Sequence, residues 1–130
     1  MIIGLGGDIV DINRVRQTIE RFDSKFEGRV FTDSERALAE KSADRFAYYA
    51  KRFAAKEAFV KALGTGVAQG VSWQDMEISN LDSGKPTIAI SGAAGKILKS
   101  LTPKGKSVNI HLSLSDSDTM AQAVVIIECV

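Results

Sequence analysis

Apolar and polar positions change period several times along this chain, and the changes mark its elements. Ile2 to Ile12 reads as a strand, interrupted by Gly4, Gly6 and Gly7. Glycines inside a strand mark a bulge or a close approach of other backbone. The spacing then lengthens. Ile12, Val15, Ile19 and Phe22 recur at helical intervals, with Asp11 or Asn13 as cap, so a helix is predicted to about Phe22. Its other face carries Arg14, Thr18 and Arg21, and Lys25 if the helix persists that far; Arg16 lies off this stripe. The run Phe31-Thr32-Asp33-Ser34-Glu35 is a helix start, with Thr32 as cap and Glu35 closing a capping box, and that helix reaches about Lys41. Ser42 is expected to cap the longest helix, about Ala43 to Leu63, which Gly64 terminates. Ala54, Ala58 and Ala62 give that helix a narrow stripe suited to close packing.

From Gln69 the pattern becomes extended. Trp73 to Ser79 reads as a strand, Asp82-Ser83-Gly84-Lys85 as a turn and Pro86 to Ile90 as the return strand. Ser91 and Gly92 open a short helix, about Ala93 to Leu101, which ends before Pro103. Val108, Ile110, Leu112 and Leu114 alternate with polar residues, the mark of a half-buried strand, and Met120 to Val130 is apolar enough for a central or doubly covered one. The predicted class is α+β, an antiparallel sheet packed against a long helix and shorter ones, in a single domain over residues 1–130.

Composition narrows the function classes more than it selects one. A net charge of +1 gives no global attraction to nucleic acid or membranes, so any charge argument must be local. No run approaches the roughly 20 apolar residues that span a bilayer. The N-terminal segment lacks the basic start of a signal peptide. With one cysteine, Cys129, no disulfide can form within the chain, which fits a reducing compartment; the cytoplasm is the expected location. Cys129 itself reads as an edge position of a terminal strand.

The segment that can carry chemistry is Arg52 to Gly66, RFAAKEAFVKALGTG. Glu57 and Lys61 stand one turn apart on one face of a helix whose other residues are mostly small and apolar. Such a pair is common on exposed helices. Here the alanine and phenylalanine surround predicts partial burial, and a buried carboxylate needs a partner or a metal. Asp8, in GLGGDIV, reads alone as a turn aspartate or a cap; together with Glu57 it gives the two carboxylates that a Mg²⁺ ion shared with a substrate phosphate requires. The single histidine, His111, lies on the polar face of its strand. His111, Ser113 and Asp116 do not form a local hydrolase triad, because i and i+2 on a strand are about 6.6–6.8 Å apart. Zinc, a P-loop and a Rossmann fingerprint lack their residues.

GLGGDIVDINRVRQ, RFAAKEAFVKALGTG, SWQDMEI, SGKP and NIHLSLSDS, in that order over nearly the whole chain, resemble the holo-acyl-carrier-protein synthases. These are the small trimeric class of 4′-phosphopantetheinyl transferases. The resemblance implies that the chain moves phosphopantetheine from coenzyme A to a serine of acyl carrier protein, releasing 3′,5′-ADP. It implies Mg²⁺ held by Asp8 and Glu57, and a phosphate contact from Lys61. Arg52, Ser83, Gly84, Lys85, Pro86 and His111 lie in segments resembling those around the adenosine 3′-phosphate, partly across a subunit boundary, with Arg45 a weaker candidate. Arg14 and Arg21 match the helix that docks the carrier protein. Asp116 departs from the pattern, since some relatives have histidine there. A non-catalytic domain binding coenzyme A or a nucleotide is the alternative, and a docking module built on the basic helix a third. No nucleic-acid or membrane partner is expected.

Overall fold

The computed structural model describes residues 1–22 and 24–130. Its main sheet has three antiparallel strands in the order β1–β5–β4: β1 is Ile2–Asp11, β4 Val108–Asp116 and β5 Met120–Cys129. A separate hairpin pairs β2 (Met76–Asn80) with β3 (Pro86–Ile90). The helices are α1 (Ile12–Arg21), α2 (Lys25–Val30), α3 (Asp33–Glu40), α4 (Arg45–Leu63) and α5 (Gly92–Leu101). No helix is long and apolar enough to cross a membrane.

The core forms where α4 lies across the inner face of the three-stranded sheet. Ala54, Ala58, Phe59 and Leu63 of α4 pack with Val125 and Ile127 of β5 and Leu112 of β4. A second cluster joins Ile12, Val15 and Ile19 of α1 to Phe31, Tyr49 and Ala50. The glycines of β1 explain how closely α4 approaches. A Cβ on Gly4 would strike the Ala62 carbonyl, and one on Gly6 the Ala58 carbonyl. The close pairs are therefore Gly4 and Gly6 with Ala62 and Ala58. Gly7 points to the other side of the strand, and its nearest neighbour would be the Ala123 carbonyl at 3.8 Å. The strand register shifts between Ile2 and Gly4, as glycines in a strand suggest.

Several expected boundaries move, each for a local reason. The longest helix starts at Arg45 because Asp44 caps it, accepting from Ala47 N at 3.1 Å; the Ser42 hydroxyl is turned to the Asp44 backbone instead. The first helix ends at Arg21, so Lys25 opens α2 and leaves the basic stripe. That six-residue helix has Gly28 inside it, which erased its signal. Residues Trp73–Asp75 form a 3₁₀ turn capped by Ser72 before β2 begins. Cys129 is buried on β5, the central strand, and is not at an edge. Two sheets stand where one was expected.

Candidate functional site

Alternate residues of β1 face α4, and they descend it turn by turn. Gly4 lies on Ala62, Gly6 on Ala58, and the next inward position is Asp8, beside Glu57 and Lys61. Two strand residues advance about 6.6 Å and one helical turn 5.4 Å, so the two elements stay nearly in step. Forty-nine positions of sequence separation close in this way.

Lys61 does not pair with Glu57. Its ammonium donates to Asp8 Oδ1 at 2.8 Å and to the Gly7 carbonyl at 3.1 Å. The Lys61 side chain is 53% exposed and that of Asp8 only 10%. Asp8 Oδ2 is buried and has no hydrogen-bond partner among the described residues. Burial, and then the neighbouring Asp8 carboxylate, push the Glu57 carboxyl up to about 7, against the opposing pull of Lys61. The hydrogen bond to Asp8 raises the Lys61 pKa in turn.

These groups suit a hard divalent cation. The donors are carboxylate oxygens, one of them orphaned, and a cation would relieve the repulsion between the two acids. Among the described residues no third His, Cys, Asp or Glu converges, so the other coordination positions would fall to substrate oxygens and water.

A cleft of about 380 Å³ opens beside the pair, lined by Asp8, Asp11, Arg14, Phe26, Phe53 and Glu57. Arg14 belongs both to this cleft and to a shallower one continuing along α1 past Gln17, Arg21 and Phe22. Arg14 and Arg21 are exposed, and the basic face of α1 thus begins at the carboxylate pair. A larger cleft, about 690 Å³, lies between α2, α3 and the start of α4. Much of its charge is already paired, Arg36 with Asp33 and Arg45 with Glu40, so the smaller cleft is the better candidate.

The remaining candidates fall elsewhere. Arg52 is on α4 but only 4% exposed; it donates to Asn80 Oδ1 at 2.5 Å and stacks on Tyr48. Ser83, Gly84 and Lys85 are exposed at the tip of the hairpin and Pro86 is half-buried. His111 is exposed on the outer face of the sheet, with Nε2 3.1 Å from Glu128 Oε1. That face is opposite the one carrying Asp8. Arg45 is held by Glu40, and Asp116 pairs with Lys51 at 3.3 Å.

Sequence reasoning missed two features. Asn80 joins Arg52 to the hairpin turn, and nothing in the sequence marks it. Lys56 is fully buried and donates to Glu35 Oε1 at 2.6 Å, Val30 O at 2.7 Å and Trp73 O at 3.2 Å. A lysine flanked by Ala54, Ala55, Ala58 and Phe59 was the available signal for a buried ion pair.

The model of the 4′-phosphopantetheinyl transferase superfamily matches residues 4–119. The chain is 58% identical over 128 residues to the holo-[acyl-carrier-protein] synthase of Rhizobium leguminosarum bv. trifolii, covering 98% of this chain and 96% of that protein. The crystal structure of the Neisseria meningitidis holo-[acyl-carrier-protein] synthase superposes with a TM-score of 0.87 at 38% identity, covering 98% of this chain and 99% of the other. The Bacillus anthracis holo-(acyl-carrier-protein) synthase, solved in complex with CoA (3′,5′-ADP), gives 0.80 at 35% identity, covering 98% and 97%. The chain belongs to the 4′-phosphopantetheinyl transferase superfamily and is a phosphopantetheinyl transferase of the holo-[acyl-carrier-protein] synthase kind.

Proposed function

We propose that this enzyme transfers 4′-phosphopantetheine from coenzyme A to a serine of acyl carrier protein, with Mg²⁺, and releases adenosine 3′,5′-bisphosphate. The observation that carries the reading is the Asp8–Glu57 pair, with its orphaned buried oxygen and raised Glu57 pKa, at the head of a basic helix face. Asp8 and Glu57 would hold the ion, which when bound neutralises charge on the pyrophosphate. Lys61, one salt bridge away, supplies a mobile cation for the phosphate oxygens.

The serine oxygen forms a bond to the phosphorus on the pantetheine side of the pyrophosphate. The bond from that phosphorus to the bridging oxygen breaks, and its electron pair leaves with adenosine 3′,5′-bisphosphate. The serine proton goes to Glu57 or to a water that Glu57 holds. The contributions are thus positioning and charge stabilisation.

Arg14 and Arg21 would guide an acidic carrier protein to the cleft, since Arg14 lines it and Arg21 lies farther along the same helix face. A homotrimer is the assembly we favour. Leu5, Ile9, Val124 and Ile126 make an apolar patch on the outer sheet face, and Leu5 and Ile9 are 67% and 63% exposed. His111 sits beside Ile126 in the strand register. Because His111 and Asp8 are on opposite faces of one sheet, a single coenzyme A touching both would draw them from two copies.

The test incubates the protein with coenzyme A, Mg²⁺ and an apo acyl carrier protein. Mass spectrometry should find phosphopantetheine on the carrier serine, with adenosine 3′,5′-bisphosphate formed in equal amount. Binding of coenzyme A without any modified carrier would contradict the reading.

A further inference from the structure

Arg52 is an anomaly on α4. Its guanidinium is nearly sealed from water, and no carboxylate among the described residues lies within ion-pairing distance. Its Nε is buried without a hydrogen-bond partner. A buried cation without an ion-pair partner is destabilising, and such exceptions concentrate at functional places. Arg52 is nevertheless too deep to meet a ligand directly.

What it does hold is Asn80, the last residue of β2. The two ends of that amide are used in opposite senses. Oδ1 accepts from Arg52, and Nδ2 donates to the Gly84 carbonyl at 2.9 Å. The donor on one side and the acceptor on the other leave the amide a single orientation. The turn beneath is closed by Gly84 N donating to Leu81 O at 2.8 Å and Leu81 N donating to Lys85 O at 2.9 Å, with Gly84 at φ +91°. In a trans peptide the C=O and the following N–H point opposite ways. Drawing the Gly84 carbonyl toward Asn80 therefore turns the Lys85 N–H away from it, toward the Ser83 hydroxyl, to which it makes a long 3.4 Å contact. The Lys85 N–H, the Ser83 hydroxyl and the exposed Lys85 side chain thus belong to one tip, and their donor groups are of the kind that receives a phosphate.

We infer that Asn80 is a positioning residue, fixed by Arg52, that sets the Gly84–Lys85 peptide so that the turn presents its donors to the adenosine-phosphate end of coenzyme A. Arg52 then acts through Asn80, and not by touching phosphate. The inference rests on reading the Ser83–Pro86 segment as part of the coenzyme A site.

The test uses Asn80→Ala with adenosine 3′,5′-bisphosphate as calorimetric probe, and Lys85→Ala beside it. Asn80→Ala should bind the probe roughly five- to tenfold more weakly, the scale of one lost hydrogen bond. Its kcat at saturating coenzyme A should stay within about twofold, because the reacting phosphorus is not touched. In the ligand-free protein the Lys85 amide resonance should shift and its exchange quicken, which a direct contact between Asn80 and ligand would not cause. Should Asn80→Ala fold poorly, Asn80→Ser is measured in its place, since its shorter side chain has one terminal atom where the amide uses two to span Arg52 and Gly84. Wild-type affinity in the Asn80 variant with weakened binding in Lys85→Ala would overturn the positioning role and leave the turn as a subsite. Wild-type affinity in both would remove the turn from the site, and the inference with it.

Discussion

Lys56 and Glu57 are adjacent on α4, yet their side chains enter opposite kinds of polar cluster. Lys56 turns inward to Glu35. Its three donor directions meet Glu35, the Val30 carbonyl and the Trp73 carbonyl, while Glu35 also accepts from Thr32 N and Ile78 N. The cluster ties the end of α2, the start of α3, the 3₁₀ turn and β2 to the long helix. Glu57 turns to Asp8 and Lys61. There two carboxylates repel, one oxygen has no partner among the described residues, and the cation paired with Asp8, Lys61, is half in solvent. The first cluster is closed and holds the fold; the second is open, and its unmet valences suit an incoming ligand. A satisfied ion pair and a frustrated one can therefore share a helix turn, and the difference lies in how many donors surround each acid.

The largest expected effect breaks the closed cluster. Lys56→Met leaves Glu35, 1% exposed, without its cation, and should destabilise the fold by about 3–5 kcal/mol in urea unfolding. A loss below about 1 kcal/mol would mean that this cluster is not the structural one. Next comes the open cluster. Asp8→Asn and Glu57→Gln keep shape and remove charge, and each should lower turnover by at least ~10²-fold. Their unfolding midpoints without metal should stay near wild type or rise, since a like charge has gone. Equal losses of stability in both clusters would erase the distinction.

A smaller effect is expected at the basic face next to the open cluster. Arg14→Glu with Arg21→Glu should raise KM for carrier protein roughly tenfold and leave coenzyme A affinity nearly unchanged. Wild-type KM for the carrier should rise with salt, because exposed charges are screened over about 10 Å at 0.1 M. The smallest effect is the pH dependence of the metal-free fold. Glu57 is raised from an ordinary 4.5 to about 7, so between those values the folded state binds more proton than the unfolded one. Its contribution is fully present below about 4.5 and is lost as pH rises through about 7. Urea titrations should show that decline in wild type and not in Glu57→Gln.

Much of this was legible in the residues. The helical stripe of Ile12, Val15 and Ile19, the Thr32 capping box and the alternation along β4 are local patterns, and local physics decided them. The pairing of Asp8 with Glu57 was readable as well, because small residues on both elements announce a close approach. The partner exchange was not. Lys61 stands at the right spacing for Glu57 but reaches Asp8, since β1 brings a second carboxylate within range. Glu35 was readable as a cap, and the cap is real, yet the same side chain also receives Lys56 across the core. Arg52 belongs to a segment expected around the adenosine 3′-phosphate, and its bond to Asn80 carries no sequence signal. Contacts between residues far apart in sequence carry no periodic signature, and all three differences are of that kind.

Asp8 and Glu57 form an open acidic pair, which we propose is completed by a divalent cation and substrate phosphate. The most direct measurement is phosphopantetheine transfer by the wild-type enzyme after exhaustive chelation, followed by Mg²⁺ titration. Transfer should cease without metal and return with Mg²⁺, and Asp8→Asn and Glu57→Gln should shift the Mg²⁺ dependence to higher concentration. Transfer at full rate in the chelated enzyme would contradict it.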